Sequence, residues 1–273
     1  MDAIREALYN TLAEDHPQTV RGVFYRLVGT GAIPKTEAAY QSIVVRLLSE
    51  MRRAGVIPFS WLADSTRWMH VPETHGSLRA MLEQSAEFYK RDLWQRQRVR
   101  VECWCEKAAL SGVLYQETSV YGVPLMPCRG YPSLSFLFSA AEEIAASEKP
   151  TYIFFCGDWD PSGAHIPRKI EADLRRFAPD AEIHFERFAV WPHHIALYDL
   201  PSRPTKRSDT RSKSFTGASV ELDALPSHVL RGMIRERIER HIDPYELEQT
   251  RLIEQQERES LNRIVAALPE VYQ

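Results

Sequence analysis

The sequence has no apolar run that approaches the ~20 residues needed for a transmembrane helix. Its first ten residues, MDAIREALYN, lack the apolar core of a signal peptide. It also contains no internal repeat, no P-loop and no GHKL-type ATP-binding signature. These absences predict a cytoplasmic protein that has no membrane partner and does not itself hydrolyse ATP.

Cysteine is scarce, and all four cysteines lie within or beside apolar segments: Cys103, Cys105, Cys128 and Cys156. Cys103 and Cys105 would share one face of a strand and could form half of a zinc site. No second cysteine pair or histidine pair has zinc-finger spacing, however. We therefore predict buried thiols without a disulfide, as is usual in a reducing compartment.

The chain also lacks the net positive charge typical of nucleic-acid binders, since its formal net charge is −3. Its basic residues are nevertheless clustered. Residues 17–67 hold seven basic and three acidic side chains, and residues 203–213 hold five basic and one acidic. We expect a polyanion such as double-stranded DNA to bind these two regions. The alternatives are a solvated helix face and a disordered polar loop. The candidate DNA-binding residues are Arg46, Arg52, Arg53, Lys206, Arg207 and Arg211.

Two apolar runs end in acidic residues. Thr151 to Phe155 reads as a central strand covered on both faces, and it leads into Asp158 and Asp160, two carboxylates one residue apart. A second run, 99–105, leads directly into Glu106. Ligands of open α/β sheets bind beyond the carboxyl ends of the strands, and carboxylates suit Mg²⁺. The pattern favours a metal site, although an acidic turn is the simpler alternative.

Strand-like and helix-like segments alternate through this half of the chain. The predicted strands are 99–105, 122–128, 151–157 and 181–189, and the predicted helices between them are 107–118, 133–147 and 166–177. This alternation predicts an α/β fold with a mainly parallel sheet and right-handed crossovers.

The N-terminal part predicts three helices followed by a short extended hairpin, the order of a winged helix-turn-helix. The helices are expected over 3–14, 20–29 with Thr19 as N-cap, and 36–54, and the hairpin over 56–67. A charged helical linker over 75–98 and a final helix over 244–267 complete the pattern. The predicted domains are therefore 1–70 (winged helix), 71–98 (helical linker) and 99–273 (α/β domain with a C-terminal helical extension).

Tyr25 is the most informative residue of the second helix. At 100° per residue, Val23, Phe24 and Leu27 form the buried stripe, while Tyr25 falls roughly opposite, on the face of Arg21. This position predicts an exposed phenol oxygen close to a cation. A surface tyrosine, or one packed against the second domain, is the alternative.

Taken together, these motifs resemble the Toprim metal-binding domain, in which a glutamate and a later Asp-x-Asp each follow a strand. The Glu106-Lys107 pair, the segment from Gly130 to Ser133 and the glycine after Asp160-Pro161 are similar to the topoisomerase VI A subunit and its relative, the meiotic double-strand-break transesterase. The segment from Arg21 to Tyr25 resembles that family's catalytic Arg-x-x-aromatic-Tyr, with Gly22 where the family often has an acidic residue. The resemblance covers about 19–188 and is closest to compact, Mini-A-like members.

The resemblance implies a winged helix followed by a Toprim domain, and a type IIB topoisomerase-like enzyme that cleaves DNA through a 5′-phosphotyrosyl intermediate. Tyr25 would be the nucleophile, Arg21 would favour the phenolate or bind the phosphate, and Mg²⁺ would be held by Glu106, Asp158 and Asp160. The family acts as a homodimer in which the tyrosine of one protomer faces the metal of the other. An ATPase partner subunit is not required by this sequence. The alternatives are a Toprim nuclease without a covalent intermediate and a non-catalytic DNA-binding protein.

Overall fold

The computed structural model describes residues 2–63, 72–204, 215 and 218–269. These residues form two compact units. Of the described residues, the first unit contains 2–63, 100–204, 215 and 218–239, and the second contains 72–99 and 240–269. The first unit thus combines the predicted winged-helix segment with the predicted α/β segment, and the predicted domain limits remain a prediction.

The first unit begins with helices close to the predicted positions. Helix α1 is Asp2–Glu14, and α2 is Val20–Gly29, whose N-cap Thr19 accepts a hydrogen bond from the Gly22 amide at 2.8 Å. The predicted third helix is one helical path in three parts, which are α3 (Glu37–Ala39), a π-helical turn (Tyr40–Val45) and α4 (Arg46–Arg53).

The segment that follows differs from the predicted hairpin. Phe59–Trp61 is a 3₁₀ turn, and Leu62 makes a single parallel bridge to Gln18. Within 56–63 the structure describes no strand pair, and 64–71 lie outside the described residues. Two prolines explain part of the difference. Pro58 immediately precedes the 3₁₀ turn, and Pro17 precedes the bridging Gln18 and has no amide with which to extend a ladder.

A four-stranded, all-parallel sheet forms the centre of the first unit, as the alternating pattern predicted. Its strands are β1 (Arg100–Cys105), β2 (Leu125–Pro127), β3 (Thr151–Cys156) and β4 (Ile183–Ala189), in the order β2-β1-β3-β4. Five of the six residues of β1 and of β3 are buried. Both central strands are therefore covered on both faces, as expected of a parallel sheet.

Helices link and cover the strands. After the 3₁₀ turn Ala108–Leu110 come α6 (Ser111–Thr118), α7 (Leu134–Ala146), α8 (Pro161–Phe177), α9 (Pro192–Leu197), the 3₁₀ turn Leu222–Ala224 and α10 (Ser227–Glu239). Helices α7 and α8 pack together over the sheet, and Trp104, Phe155 and Ile170 are buried in that core. The four cysteines are buried free thiols, as predicted.

Helix α8 starts five residues earlier than predicted. Asp160 caps it by accepting the Gly163 amide at 2.7 Å, and Pro161 occupies the first helical turn. Proline is favoured there because the amide that it lacks would have no partner inside the helix. The acidic motif therefore lies at the start of a helix rather than in a free loop.

The second unit pairs α5 (Leu78–Phe88) with α11 (Pro244–Ala266). Helix α5 is shorter than the predicted linker helix. The chain leaves helical geometry at Tyr89, whose hydroxyl donates to Glu257 at 2.6 Å, and Arg91 donates to the same carboxylate at 2.5 Å. Side-chain contacts to α11 thus replace the predicted continuation of the helix.

Over the ranges that the structure describes, no helix is both long and apolar enough to cross a membrane.

Candidate functional site

The candidate site lies at the carboxyl ends of β1 and β3. From these neighbouring strands the chain proceeds in opposite directions across the sheet, to β2 on one side and to β4 on the other. Open α/β sheets bind ligands at such a switch point. Glu106 follows β1, and Asp158 and Asp160 follow β3, so the sheet brings the predicted carboxylates to one edge.

Glu106 is in direct contact with the loop after β3. Its Oε2 accepts a hydrogen bond from the Asp158 amide at 3.0 Å. A Cβ on Gly157 would lie 2.4 Å from the same oxygen and 2.9 Å from the Phe155 ring, so a larger residue would have to displace these side chains. Burial, together with the charges of Asp158 and Asp160, raises the pKa of Glu106 to about 7. Burial is the larger of these causes, and the neighbouring carboxylates add to it.

The two aspartates have different partners. Asp158 Oδ1 accepts hydrogen bonds from the Leu222 amide at 2.8 Å and is 3.0 Å from Lys107 Nζ. Burial raises the pKa of Asp158, and Lys107 and the Leu222 amide oppose the increase. Asp160 caps α8, and a Cβ on Gly163 would lie 2.1 Å from the Asp158 carbonyl oxygen. Gly157 and Gly163 therefore permit the close approach of the acidic loop to its neighbours.

The three acidic side chains are chemically suited to a hard divalent cation, but they are not arranged around a common point where one ion could bind. In each of Glu106, Asp158 and Asp160, one carboxylate oxygen accepts a hydrogen bond from a backbone amide. In the part of the chain that the structure describes, no hydrogen-bond donor contacts the second carboxylate oxygen of these side chains. Carboxylates with raised pKa values at one edge are suited to Mg²⁺. Among the described residues, however, no three acidic, histidine or cysteine side chains are arranged as a ready ligand group. Side-chain movements would be needed to bring the three carboxylates together around one ion.

Arg187 of β4 binds the backbone of the acidic loop. The sequence did not identify this residue. Its buried guanidinium donates to the carbonyls of Gly157 at 2.7 Å, Asp158 at 2.6 Å and Gly163 at 2.8 Å. Burial lowers the pKa of Arg187 to about 10, which leaves it charged at neutral pH. One cation therefore fixes the loop and faces the three acidic side chains.

Lys107 joins the acidic loop to a later segment. Its Nζ lies 3.0 Å from Asp158 Oδ1, 2.7 Å from Asp223 Oδ2 and 3.3 Å from Glu221 Oε2. Burial alone would lower the pKa of Lys107, but the three carboxylates raise it overall. Lys107 is therefore a permanent cation at this site.

Tyr25 is buried rather than exposed, and the prediction of an exposed phenol oxygen is wrong. The residue retains 6% of its accessible surface. The 3₁₀ turn Leu222–Ala224 packs against α2, and Glu221, the residue before this turn, lies close enough to Tyr25 to affect its pKa. Burial and Glu221 raise the pKa of Tyr25, whereas Arg21 and Lys107 oppose the increase. In this state the tyrosine is protonated at neutral pH.

Arg21 is held beside Tyr25 by several contacts. Its guanidinium stacks over the Tyr40 ring at 4.1 Å, donates to Glu37 at 2.9 Å and lies 3.6 Å from Glu221. Glu221 thus contacts both Arg21 and Lys107, and Lys107 contacts Asp158. The predicted tyrosine and the predicted metal ligands therefore belong to one network within a single chain.

The predicted DNA-binding residues lie away from this network or outside the described residues. On α4, Arg46 pairs with Glu50 at 2.8 Å, Arg52 stacks on Phe59 at 4.4 Å, and Arg53 is exposed. Lys206, Arg207 and Arg211 lie outside the described residues.

The sequence interpretation also missed Glu221 and Asp223. They flank Leu222 directly after the basic loop, and Asp223 binds Lys107 and accepts a hydrogen bond from the Thr19 hydroxyl. A second acidic pair separated by one residue was the available signal, but nothing local linked it to a helix some 200 residues earlier. Comparison with known proteins finds no family model that matches the sequence and no significant match among curated proteins.

Proposed function

We propose that this chain is a DNA-cleaving transesterase of the type IIB topoisomerase kind, with Tyr25 as nucleophile. The observation that carries the proposal is the connection of Tyr25 to the acidic strand ends through Glu221 and Lys107. A phosphate next to the phenol would also lie near the carboxylates. The resemblance of the Arg21–Tyr25 segment adds to this argument.

The proposed step conserves the phosphodiester energy. The Tyr25 oxygen attacks a backbone phosphorus, so that an oxygen–phosphorus bond forms and the bond from phosphorus to the 3′ oxygen breaks. The phenolic proton passes to solvent, and the departing 3′ oxygen takes a proton from solvent. The products are a 5′-phosphotyrosyl end and a free 3′-hydroxyl. Arg21 and Lys107 favour the phenolate, because both cations lower the pKa of Tyr25.

Glu106, Asp158 and Asp160 would hold Mg²⁺, which when bound supplies charge neutralisation at the phosphate and at the departing oxygen. Lys107 already neutralises Asp158 in part. Arg187 fixes the backbone of the Asp158 loop through its carbonyls. These two cations position the loop and limit its negative charge.

Double-stranded DNA and a second copy of the chain remain the proposed partners. Cutting both strands requires two tyrosines and therefore two chains. The connection of Tyr25 to Asp158 within one chain means that a dimer is not needed simply to bring tyrosine and carboxylates together. Whether the active pair acts within one chain or between two chains is tested by mixing Tyr25→Phe and Asp158→Ala proteins. Adduct formation by the mixture supports action between chains.

A hydrolytic Toprim nuclease is the second candidate, and the burial of Tyr25 favours it. A tyrosine with 6% exposure and a raised pKa is a poor nucleophile in this state. In this alternative Tyr25 is a structural residue, and the carboxylates promote attack by water.

Trapping of a covalent adduct distinguishes the two candidates. Purified protein is incubated with end-labelled DNA and Mg²⁺, denatured and run on a denaturing gel. The transesterase hypothesis predicts a protein–DNA adduct that is absent in Tyr25→Phe. The control variant Tyr40→Phe, which removes the hydroxyl of a half-buried tyrosine, should still form the adduct. Magnesium-dependent cutting by Tyr25→Phe at the wild-type rate would establish the nuclease instead.

Binding of DNA through α4 is tested by the salt dependence of affinity. For each lost phosphate contact, the slope of log K against log salt should fall by roughly 0.9. Arg53 is exposed, so replacing Arg46, Arg52 and Arg53 together with glutamine should flatten the slope by at least that amount. An unchanged slope would place the DNA surface elsewhere.

A further inference from the structure

The Glu221 carboxylate is surrounded by positive charge. It lies 3.3 Å from Lys107 Nζ, 3.4 Å from Arg203 and 3.6 Å from Arg21, which come from three separate parts of the chain. Tyr25 also lies close enough to Glu221 to affect its pKa. The Glu221 side chain is 12% exposed. A single carboxylate thus receives three cations and a phenol in a largely enclosed position.

A fourth cation lies near Tyr25. Lys35 Nζ lies 5.6 Å from the Tyr25 ring and donates to the carbonyls of Pro201 at 2.7 Å and Ser202 at 2.8 Å. Burial and the nearby charge of Arg203 lower the pKa of Lys35. Without Glu221, Arg203 would lose the carboxylate partner that the structure describes, whereas Lys107 would keep Asp158 and Asp223, and Arg21 would keep Glu37.

These donors match those that bind phosphodiesters. A phosphodiester has one negative charge and two non-bridging oxygens, as a carboxylate has one charge and two oxygens. Arginine and lysine recognise both groups through charge-assisted hydrogen bonds. The set around Glu221 also includes the hydroxyl that would attack the phosphorus. The Glu221 carboxylate therefore resembles a substrate phosphate in charge and in partners.

The segment that carries Glu221 is attached to both halves of the network. Val220 exchanges two backbone hydrogen bonds with Trp159, at 2.8 and 2.9 Å. The Leu222 amide donates to Asp158, and Asp223 accepts from Thr19, the N-cap of α2. Residues 219–224 thus form a strap between the acidic loop and the tyrosine helix. The strap covers the face of α2 on which the sequence placed an exposed Tyr25.

We infer that Glu221 occupies an anion site that takes a DNA backbone phosphate, and that the 219–224 strap is an internal plug that DNA must displace. This inference rests on the proposed function, because it names the phosphate seat of the same reaction. The plug and the phosphate exclude each other, since two anions compete for the same cations. The buried, protonated Tyr25 then belongs to a resting state.

Binding of inorganic phosphate tests the site without any need for cleavage. Titration calorimetry with EDTA present compares wild-type protein with Glu221→Gln, which removes the charge but keeps the volume and an oxygen acceptor. We expect phosphate to bind Glu221→Gln at least about tenfold more tightly, because one close repulsive charge is removed. Adding Arg203→Gln to that variant should remove the gain.

Glu37→Gln is the matched control, because Glu37 also pairs with Arg21 but is 63% exposed, so solvent screens its charge. Its gain in phosphate affinity should be much smaller than that of Glu221→Gln. An equal gain in Glu37→Gln, or no gain in Glu221→Gln, overturns the inference.

A short DNA duplex distinguishes a phosphodiester site from a site for free phosphate. Fluorescence anisotropy should show the same rank order of variants for the duplex as for phosphate. A gain for phosphate but none for the duplex overturns the assignment to DNA.

Hydrogen exchange of the wild-type protein provides a test that does not depend on the folding of a variant. Saturating duplex should speed amide exchange over 219–224, since Leu222 and Val220 lose their partners. Unchanged or slower exchange there overturns the plug. The adduct assay is independent of these measurements. If the adduct forms but Glu221→Gln does not change phosphate affinity, the plug alone is refuted. If Glu221→Gln binds phosphate more tightly but no adduct forms, transesterification alone is refuted.

Discussion

Replacing Glu106 with glutamine should stabilise the protein above neutral pH. The pKa of Glu106 is about 7 in the folded protein and near 4.5 for an unburied glutamate. As the pH rises, the unfolded chain loses this proton first. The free energy of unfolding therefore falls between about pH 4.5 and about pH 7 and remains lower above pH 7. The difference corresponds to at most about 3 kcal/mol of unfolding free energy. Glutamine cannot ionise, and it keeps an oxygen for the Asp158 amide.

The assay is urea unfolding followed by tryptophan fluorescence, in EDTA, at several values from about pH 5 to about pH 8. The two proteins should have similar stability at the acidic end, and Glu106→Gln should be more stable by up to about 3 kcal/mol at the alkaline end. Glu142→Gln, which removes an exposed carboxylate from α7, should follow the wild type throughout.

Magnesium extends this test to the metal site. If the three carboxylates hold the ion, Mg²⁺ should stabilise the wild type at alkaline pH and stabilise Glu106→Gln much less, because one ligand charge is missing. Parallel curves for the two proteins across the pH range would refute the reasoning about Glu106. Equal stabilisation by Mg²⁺ would refute its role as a ligand.

Three further predictions concern the supports of the site. Gly163→Ala should lower thermal stability, by about 1–3 kcal/mol for overpacking, because its Cβ would lie 2.1 Å from a carbonyl oxygen; Gly232→Ala, where a Cβ meets nothing, should not. Arg187→Met should cost at least about 2 kcal/mol in urea unfolding, because buried carbonyls lose their donors. Burial lowers the pKa of His194 from 6.5 to about 4, so the unfolded chain takes up this proton first as the pH falls. The wild type should therefore lose stability between pH 6.5 and about pH 4, and His194→Gln should lose less.

Each of these predictions has a contrary outcome. Equal melting temperatures for the two glycine variants would show that the start of α8 relaxes without cost. A stable Arg187→Met protein would show that water or another donor replaces the guanidinium. Identical acid unfolding of His194→Gln and the wild type would assign the acid sensitivity to other groups.

Local patterns were sufficient for the sheet and for the position of the carboxylates. Apolar runs of strand length with short connections specify a buried parallel sheet, and Glu106 and Asp158 reach the same edge because their strands are neighbours. The start of α8 was predicted five residues too late, although Asp160 followed by proline is a helix N-terminal pattern.

The environment of Tyr25 could not be read in this way. Helical periodicity predicts that Tyr25 lies roughly opposite the apolar stripe, but it does not reveal which later segment buries this residue. The covering residues, Glu221 to Ala224, come about 200 residues later in the chain. Arg187 was hidden for a related reason, because a single charge in a strand does not indicate whether it faces solvent or a set of buried carbonyls.

The long sequence separation between α2 and its partners has a consequence for synthesis on the ribosome. The Thr19–Asp223 hydrogen bond spans 204 residues, and the Asp15–Arg231 ion pair spans 216. At about 5–20 residues per second, the first helices leave the ribosome roughly 10–40 s before the chain that covers them. During that interval Tyr25 and the neighbouring apolar residues of α2 have no cover from this later part of the chain. The nascent protein is therefore expected to need a chaperone or slow release most at its N-terminal helices.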